Sequence, residues 1–282
     1  MSGVSPLATL RARRLALLAT AAGLALAALA ALIPAPADAA LPGFVARCPG
    51  THRAPDDPIV APRRPGRAHL HDFYGNRSTD AFTTTASLRR GATSCRPSTD
   101  RSAYWAPTLF DRGRVVRAAR AAFHFDATTV PRSAIRPFPL GLKVIAGDAR
   151  RRAPGPAPAA LWSCPLSSIA ASQSFPVCPD GFGLGVTVRF PDCWNGRTLD
   201  SPDHHGHMAY SRGGRCPRTH PVPVPRLRVE LRYRARGGPG FFVASGPAPS
   251  THSDFFNAWD PAALASLVRT CLHAAGRCPS PG

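Results

Sequence analysis

The sequence predicts a mainly β domain: an antiparallel, sandwich-like fold with long disulfide-pinned loops and a C-terminal helix. Three observations carry this. Leu227, Val229, Leu231 and Tyr233 alternate with Arg228, Glu230, Arg232 and Arg234, the period-two pattern of a strand buried on one face. The 32 prolines and 24 glycines interrupt the chain too often for long helices. Only one segment, near the C-terminus, carries a full set of helix signals.

The chain opens with the layout of an export signal. Arg11, Arg13 and Arg14 precede an apolar stretch from Leu15 to Ile33, and Ala37-Asp38-Ala39 fits an A-x-A cleavage pattern. Residues 1–39 are therefore expected to be removed, leaving Ala40 first. The apolar stretch also approaches the ~20 residues needed to span a bilayer, so an uncleaved anchor is the alternative, and the one membrane contact expected. Residues 40–282, roughly 240 in number, suffice for one domain with a real core.

Within that domain, Arg114 to Phe125 reads as strand or helix. The runs Leu140 to Ile145, Gly185 to Phe190 and Phe241 to Ala244 are short, strand-like and bounded by Gly or Pro. The Pro-rich piece from Ala153 to Pro158 reads as a surface loop. A helix is expected from Asp260 to His273. Asp260 suits the N-cap, Pro261 suits the first helical position, and Leu264, Leu267, Val268, Cys271 and Leu272 form an apolar face, with Gly276 as stop signal.

Eight cysteines in an exported chain imply disulfides, because an oxidising compartment lets them persist. Spacing cannot choose among the many possible connectivities. Short-range partners are the expectation: Cys164–Cys178, Cys193–Cys216 and Cys271–Cys278, leaving Cys48–Cys95. No C-x-x-C spacing occurs, which argues against zinc–thiolate ligation.

The formal charge of +19 raises the question of nucleic acid. The basic residues are Arg except for Lys143, and most are scattered, so no specific nucleic-acid role is expected. Attraction to anionic cell-wall polymers is a better use of such charge outside a cell. G-x-S-x-G elbows and Gly-rich phosphate loops are missing. Glu230 is the only glutamate, so the paired carboxyls of a glycosidase would have to come from Asp72, Asp192, Asp203 and Asp254.

Of the ten histidines, His69, His71, His204, His205, His207 and His252 fall in three short polar-aromatic segments. These are His69-Leu70-His71-Asp72-Phe73-Tyr74-Gly75-Asn76, Asp203-His204-His205-Gly206-His207-Met208-Ala209-Tyr210 and His252-Ser253-Asp254-Phe255-Phe256-Asn257-Ala258-Trp259. With Cys48-Pro49-Gly50, Phe190-Pro191-Asp192-Cys193-Trp194-Asn195-Gly196, Cys216-Pro217 and His220-Pro221, they make the chain resemble the DUF1996 family of secreted fungal and actinobacterial proteins. Tyr74 stands where a second Phe is usual and Ala258 where Gly is usual; neither change removes a polar side chain. The family has no assigned function, so the resemblance implies export and little more.

The residues themselves suggest more. In an extended segment His69 and His71 share a face, with Cβ atoms roughly 6–7 Å apart, and Asp72 points away. His205 and His207 stand in the same relation, as do His252 and Asp254. We expect His69, His71, His207 and His252 to converge on one site, able to hold a divalent metal ion such as Zn²⁺, Cu²⁺ or Mn²⁺. A metal-free polar site and a purely structural network are the alternatives. In a catalytic site His71 or His207 would be base or ligand, Asp254 an orienting carboxylate or ligand, and Tyr210 an acid. Tyr74, Asn76, Asn257 and Trp259 would contact substrate. Against that, Asn76 and Asn257 also look like turn residues, and Trp259 like core. The resulting expectation is a secreted or cell-surface monomer acting on a polysaccharide or cell-wall glycan. The alternative is a non-catalytic glycan-binding or cell-wall module, and whether the chain is an enzyme stays open.

Overall fold

The computed structural model describes residues 42–274 and residue 278. The signal-like stretch 1–39 and the stop signal at Gly276 lie outside these residues. Strand makes up 35% of the described residues and helix 11%, as the prolines and alternating runs predict.

Two five-stranded antiparallel sheets form the body, and their strands are numbered here in chain order. They are β1 (Gly43–Arg47), β2 (Gly50–Ala54), β3 (His71–Gly75), β4 (Ala103–Pro107), β5 (Ala118–Asp126), β6 (Lys143–Gly147), β7 (Ala160–Ser163), β8 (Leu184–Arg189), β9 (Arg226–Tyr233) and β10 (His252–Phe256). The first sheet has the order β1-β5-β9-β8-β7 and the second β2-β3-β4-β10-β6. Two three-stranded ribbons flank them. One centres on Cys193–Trp194, the other on Leu109–Asp111.

The first sheet obeys the alternation. Leu227, Val229, Leu231 and Tyr233 are buried, while Arg228 turns out to pair with Asp126 at 2.8 Å and with Glu230. The segment from Arg114 to Phe125, ambiguous in sequence, forms a strand at Arg114–Val116 and most of β5. The buried faces of both sheets meet in one core. Tyr104 of β4 lies 3.9 Å, ring centre to ring centre, from Phe123 of β5, and Phe255 stacks on Tyr104. Each such side chain contributes on the order of 1.5–3 kcal/mol by leaving water.

The second sheet behaves differently. Every residue of β3, β4 and β10 is buried, so these strands do not alternate. Both faces are covered, which selects against a polar-out pattern. On the outer face Phe73, Trp105 and Phe256 pack with Ile59 and Leu88 in a second, smaller core. The cover is the β2–β3 and β3–β4 connections, the latter including helix α1 (Thr85–Arg90), which Thr84 and Ser87 close with a reciprocal capping box.

Helix α2 (Pro261–Leu267) starts as expected, with Asp260 accepting from the backbone of Ala262 and Ala263, and continues to His273 as a π-helical turn. All eight cysteines are paired, as Cys48–Cys95, Cys164–Cys178, Cys193–Cys216 and Cys271–Cys278. Such pairing is the mark of an oxidising compartment. Among the described residues no helix is long and apolar enough to cross a membrane.

Candidate functional site

The outer face of the second sheet changes character along its length. Residues two apart on a strand share a face, so His71 and Phe73 of β3 point the same way, as do His252, Asp254 and Phe256 of β10. The apolar end is sealed by Ile59 and Leu88. Over the polar end the β2–β3 connection carries Asp57 and His69. His69 lies just before β3 rather than within it, yet its ring centre is 4.2 Å from that of His71 and 5.0 Å from that of His252. Nε2 of His69 and Nε2 of His252 are 3.2 Å apart.

Second partners orient the rings. Nδ1 of His71 is 3.0 Å from the carbonyl of Asp56, and Nδ1 of His252 is 3.0 Å from the carbonyl of Ser250. A carbonyl only accepts, so each Nδ1 carries the hydrogen, and in the neutral ring each Nε2 presents a lone pair. That atom of His71 is buried without a partner, and so are both carboxylate oxygens of Asp254. Asp254 Oδ2 lies 3.7 Å from Nε2 of His252. Asp57 accepts from the backbone N–H groups of Ile59 (2.8 Å) and Val60 (2.9 Å). Potential ligand atoms of His69, His71 and His252 lie within 4.8 Å of one another, and so do those of Asp57, His71 and Asp254.

Burial sets the protonation. It pulls His69 and His252 down to about 4 and His71 well below the usual imidazole value, so all three are neutral near pH 7. Burial, reinforced by the nearby Asp57 charge, pushes Asp254 well above the carboxylate range, and burial also raises Asp57. A carboxylate buried without compensation costs on the order of several kcal/mol. The arrangement can therefore take up protons or a cation, and it has nitrogen lone pairs to offer either.

The cluster opens into a cleft of about 410 Å³, which Asp57, His69, His252 and Asp254 line together with Arg67, Asp148, Arg150 and His205. A second cleft of about 270 Å³ shares Ile145, Gly147, Asp148 and His205 with the first.

The structure brings His69, His71, His252 and Asp254 together. His207 is not with them and corrects the four-histidine expectation. It is fully buried, with Nε2 2.6 Å from the carbonyl of Lys143 and Nδ1 2.9 Å from the Ser201 hydroxyl, so both nitrogens are spent on holding its loop. Its neighbours His204 and His205 are the ones that reach the cleft. Tyr210 is exposed and lines the second cleft, but its hydroxyl donates to the carbonyl of Arg189 at 2.8 Å and it does not line the cleft beside the histidine cluster, which ill suits an acid for that cluster.

The four expected substrate contacts are structural. Asn76 is buried, donating to the carbonyls of Leu88 and Arg101 and accepting from Ser78. Asn257 donates to the carbonyls of Phe138 and Pro139 and accepts from the backbone of Trp259. Tyr74 is buried against Phe123, and Trp259 against Phe44 and Phe125. A third close group, Cys48, Cys95 and Asp100, is no ligand set, because its sulfurs are joined in a disulfide.

Asp57 is the site residue that the sequence reading missed. It lies in no periodic segment, and its only signal is the acidic pair Asp56-Asp57 between prolines shortly before the first histidine motif.

Fold and site together define a disulfide-linked β-sandwich protein with a buried His/Asp cluster beside a cleft. Residues 57–259 match the model of the family described as Domain of unknown function (DUF1996), and the chain belongs to that family. The matched span runs from Asp57 to Trp259 and holds every residue of the cluster. No curated protein and no solved structure matches the chain.

Proposed function

We propose that this is an exported protein that acts on a polysaccharide or cell-wall glycan at the His69/His71/His252/Asp254 cleft, by acid–base or metal-assisted chemistry. One observation carries the reading: His71 Nε2 and both Asp254 oxygens are buried acceptors without partners, in a cluster whose His69, His252 and Asp254 line an open cleft. Buried polar groups are ordinarily paired, and unpaired ones beside a cleft are material for chemistry.

Further features support a polymeric, extracellular substrate. Two adjoining clefts that share Ile145, Gly147, Asp148 and His205 extend the concave surface beside the cluster. Arg67 and Arg150 line it, and the chain's charge of +19 suits the anionic polymers of cell walls. Four disulfides suit the outside of a cell. A non-catalytic glycan-binding module would stack sugars on exposed aromatic rings. Of the aromatic rings expected at the site, Trp259 and Tyr74 are in the core and Tyr210 alone is exposed, on the second cleft, so the unpartnered acceptors make the catalytic reading the preferred one.

The test is incubation of the purified protein with polyuronates, polyol-phosphate polymers, peptidoglycan and neutral glucans, reading new chain ends and co-sedimentation. Depolymerisation of one of them, abolished by His71→Ala, is the expected result. Binding without turnover would favour the binding module. Neither binding nor turnover across the panel would overturn the glycan reading.

A further inference from the structure

We propose that His69, His71, His252 and Asp254, with Asp57 as fifth donor, form a mononuclear site for a divalent first-row transition-metal ion. The inference deepens the function proposed above by naming the cofactor class of the same cleft, and it stands on geometry that needs no substrate.

Spacing is the first argument. Two metal–ligand bonds of about 2.1 Å placed end to end span about 4.2 Å. Within each of two triplets, His69/His71/His252 and Asp57/His71/Asp254, the ligand atoms lie within 4.8 Å of one another, and the triplets share His71. An ion about 2.1 Å from each Nε2 of His69 and His252 would see them at about 100°, given their 3.2 Å separation. That angle falls between octahedral and tetrahedral. In the metal-free protein one proton shared between these nitrogens can hold the contact, and a metal ion would replace it.

Orientation is the second. His71 and His252 each give Nδ1–H to a backbone carbonyl, of Asp56 and Ser250. Metal-bound histidines carry such a partner on the other nitrogen, because it fixes the ring and leaves the ligating lone pair free. Asp57 is held in place by the N–H groups of Ile59 and Val60.

Composition is the third. Three neutral imidazoles with two carboxylates make a donor set whose charge a divalent ion balances. Nitrogen donors in the majority select transition metals over Ca²⁺ and Mg²⁺, which prefer oxygen. The cleft leaves one side of the cluster open, so water or substrate can approach the ion.

The test uses the full exported chain, stripped with EDTA and titrated separately with Zn²⁺, Mn²⁺, Co²⁺, Cu²⁺ and Ca²⁺, with bound metal counted by mass spectrometry. About one equivalent of a transition-metal ion, in preference to Ca²⁺, is expected. His69→Ala and Asp254→Asn should each weaken binding by at least about tenfold, while His207→Gln should not. A readout without variants is protection of the half-buried His69 from diethylpyrocarbonate by the bound ion. Binding below about a tenth of an equivalent for every transition metal, undiminished binding in both variants, or full modification of His69 in the loaded protein would each overturn the proposal. A chain that binds metal but leaves every glycan untouched keeps the metal centre and loses the glycan function. Undiminished glycan turnover by the stripped protein keeps the glycan function and assigns it to acid–base chemistry without the ion.

Discussion

Nε2 of His69 and Nε2 of His252 lie 3.2 Å apart although 183 residues separate them in the chain. One comes from the segment covering the second sheet, the other from a central strand of that sheet. The contact exists because β3 and β10 flank β4, and because the β2–β3 connection folds back over all three.

Asp254 should have opposite effects on the two forms of the protein. Both its oxygens are buried without partners. Asp254→Asn removes a carboxyl that burial penalises, so the stripped protein should gain on the order of 1–3 kcal/mol. The metal-loaded protein should lose stability, because a ligand is gone. Urea unfolding with chelator and with saturating metal checks both signs. The same sign in both conditions would count against a ligand role.

Asp100 should make stability fall with rising pH. Burial pushes its pKa from 3.8 to about 7, despite hydrogen bonds from Tyr104 and Ser102 that pull it down. Between about pH 4 and 7 the folded state keeps a proton that the unfolded state releases, so stability decreases as pH rises through that window. Asp100→Asn has nothing to titrate. The stability of the native chain relative to this variant should drop by on the order of a few kcal/mol across the window, at about 1.4 kcal/mol per pKa unit. Denaturant titrations at the two ends measure it, and a flat or rising difference would contradict the assignment.

His207 should matter for stability and not for metal. Its ring bridges Lys143 and Ser201 while fully buried. His207→Ala leaves both partners unsatisfied, at about 2–4 kcal/mol. Thermal unfolding should register the loss, while metal stoichiometry stays that of the native chain. A drop in metal content in the still-folded variant would return His207 to the site.

Much of this arrangement was legible before the fold was known. The alternation from Leu227 to Tyr233 and the proline density determined the β class, because a half-buried strand needs period two and a long helix tolerates no interior proline. The His252-x-Asp254 spacing determined that this pair shares a face, since side-chain direction on an extended strand is a local property. The His-x-His pairs lie wholly or partly outside regular strand and do not follow from spacing alone. Asp260 and Pro261 determined where the last helix begins, for capping too is local.

Tertiary structure alone decided which pairs meet. His205 and His207 looked equivalent to His69 and His71 in sequence, yet His207 turns inward to Lys143 and His205 reaches the cleft. Asn76, Asn257, Tyr74 and Trp259 had the chemistry of substrate contacts and became turn bonds and core. Asp57 joined the cluster from a connection with no periodicity. Each outcome depended on long-range packing: Tyr74 and Trp259 join the core between the sheets, His207 bridges Lys143 and Ser201, and Asp57 comes from the connection that covers the second sheet. Local spacing sets where a side chain points; only packing sets what it meets.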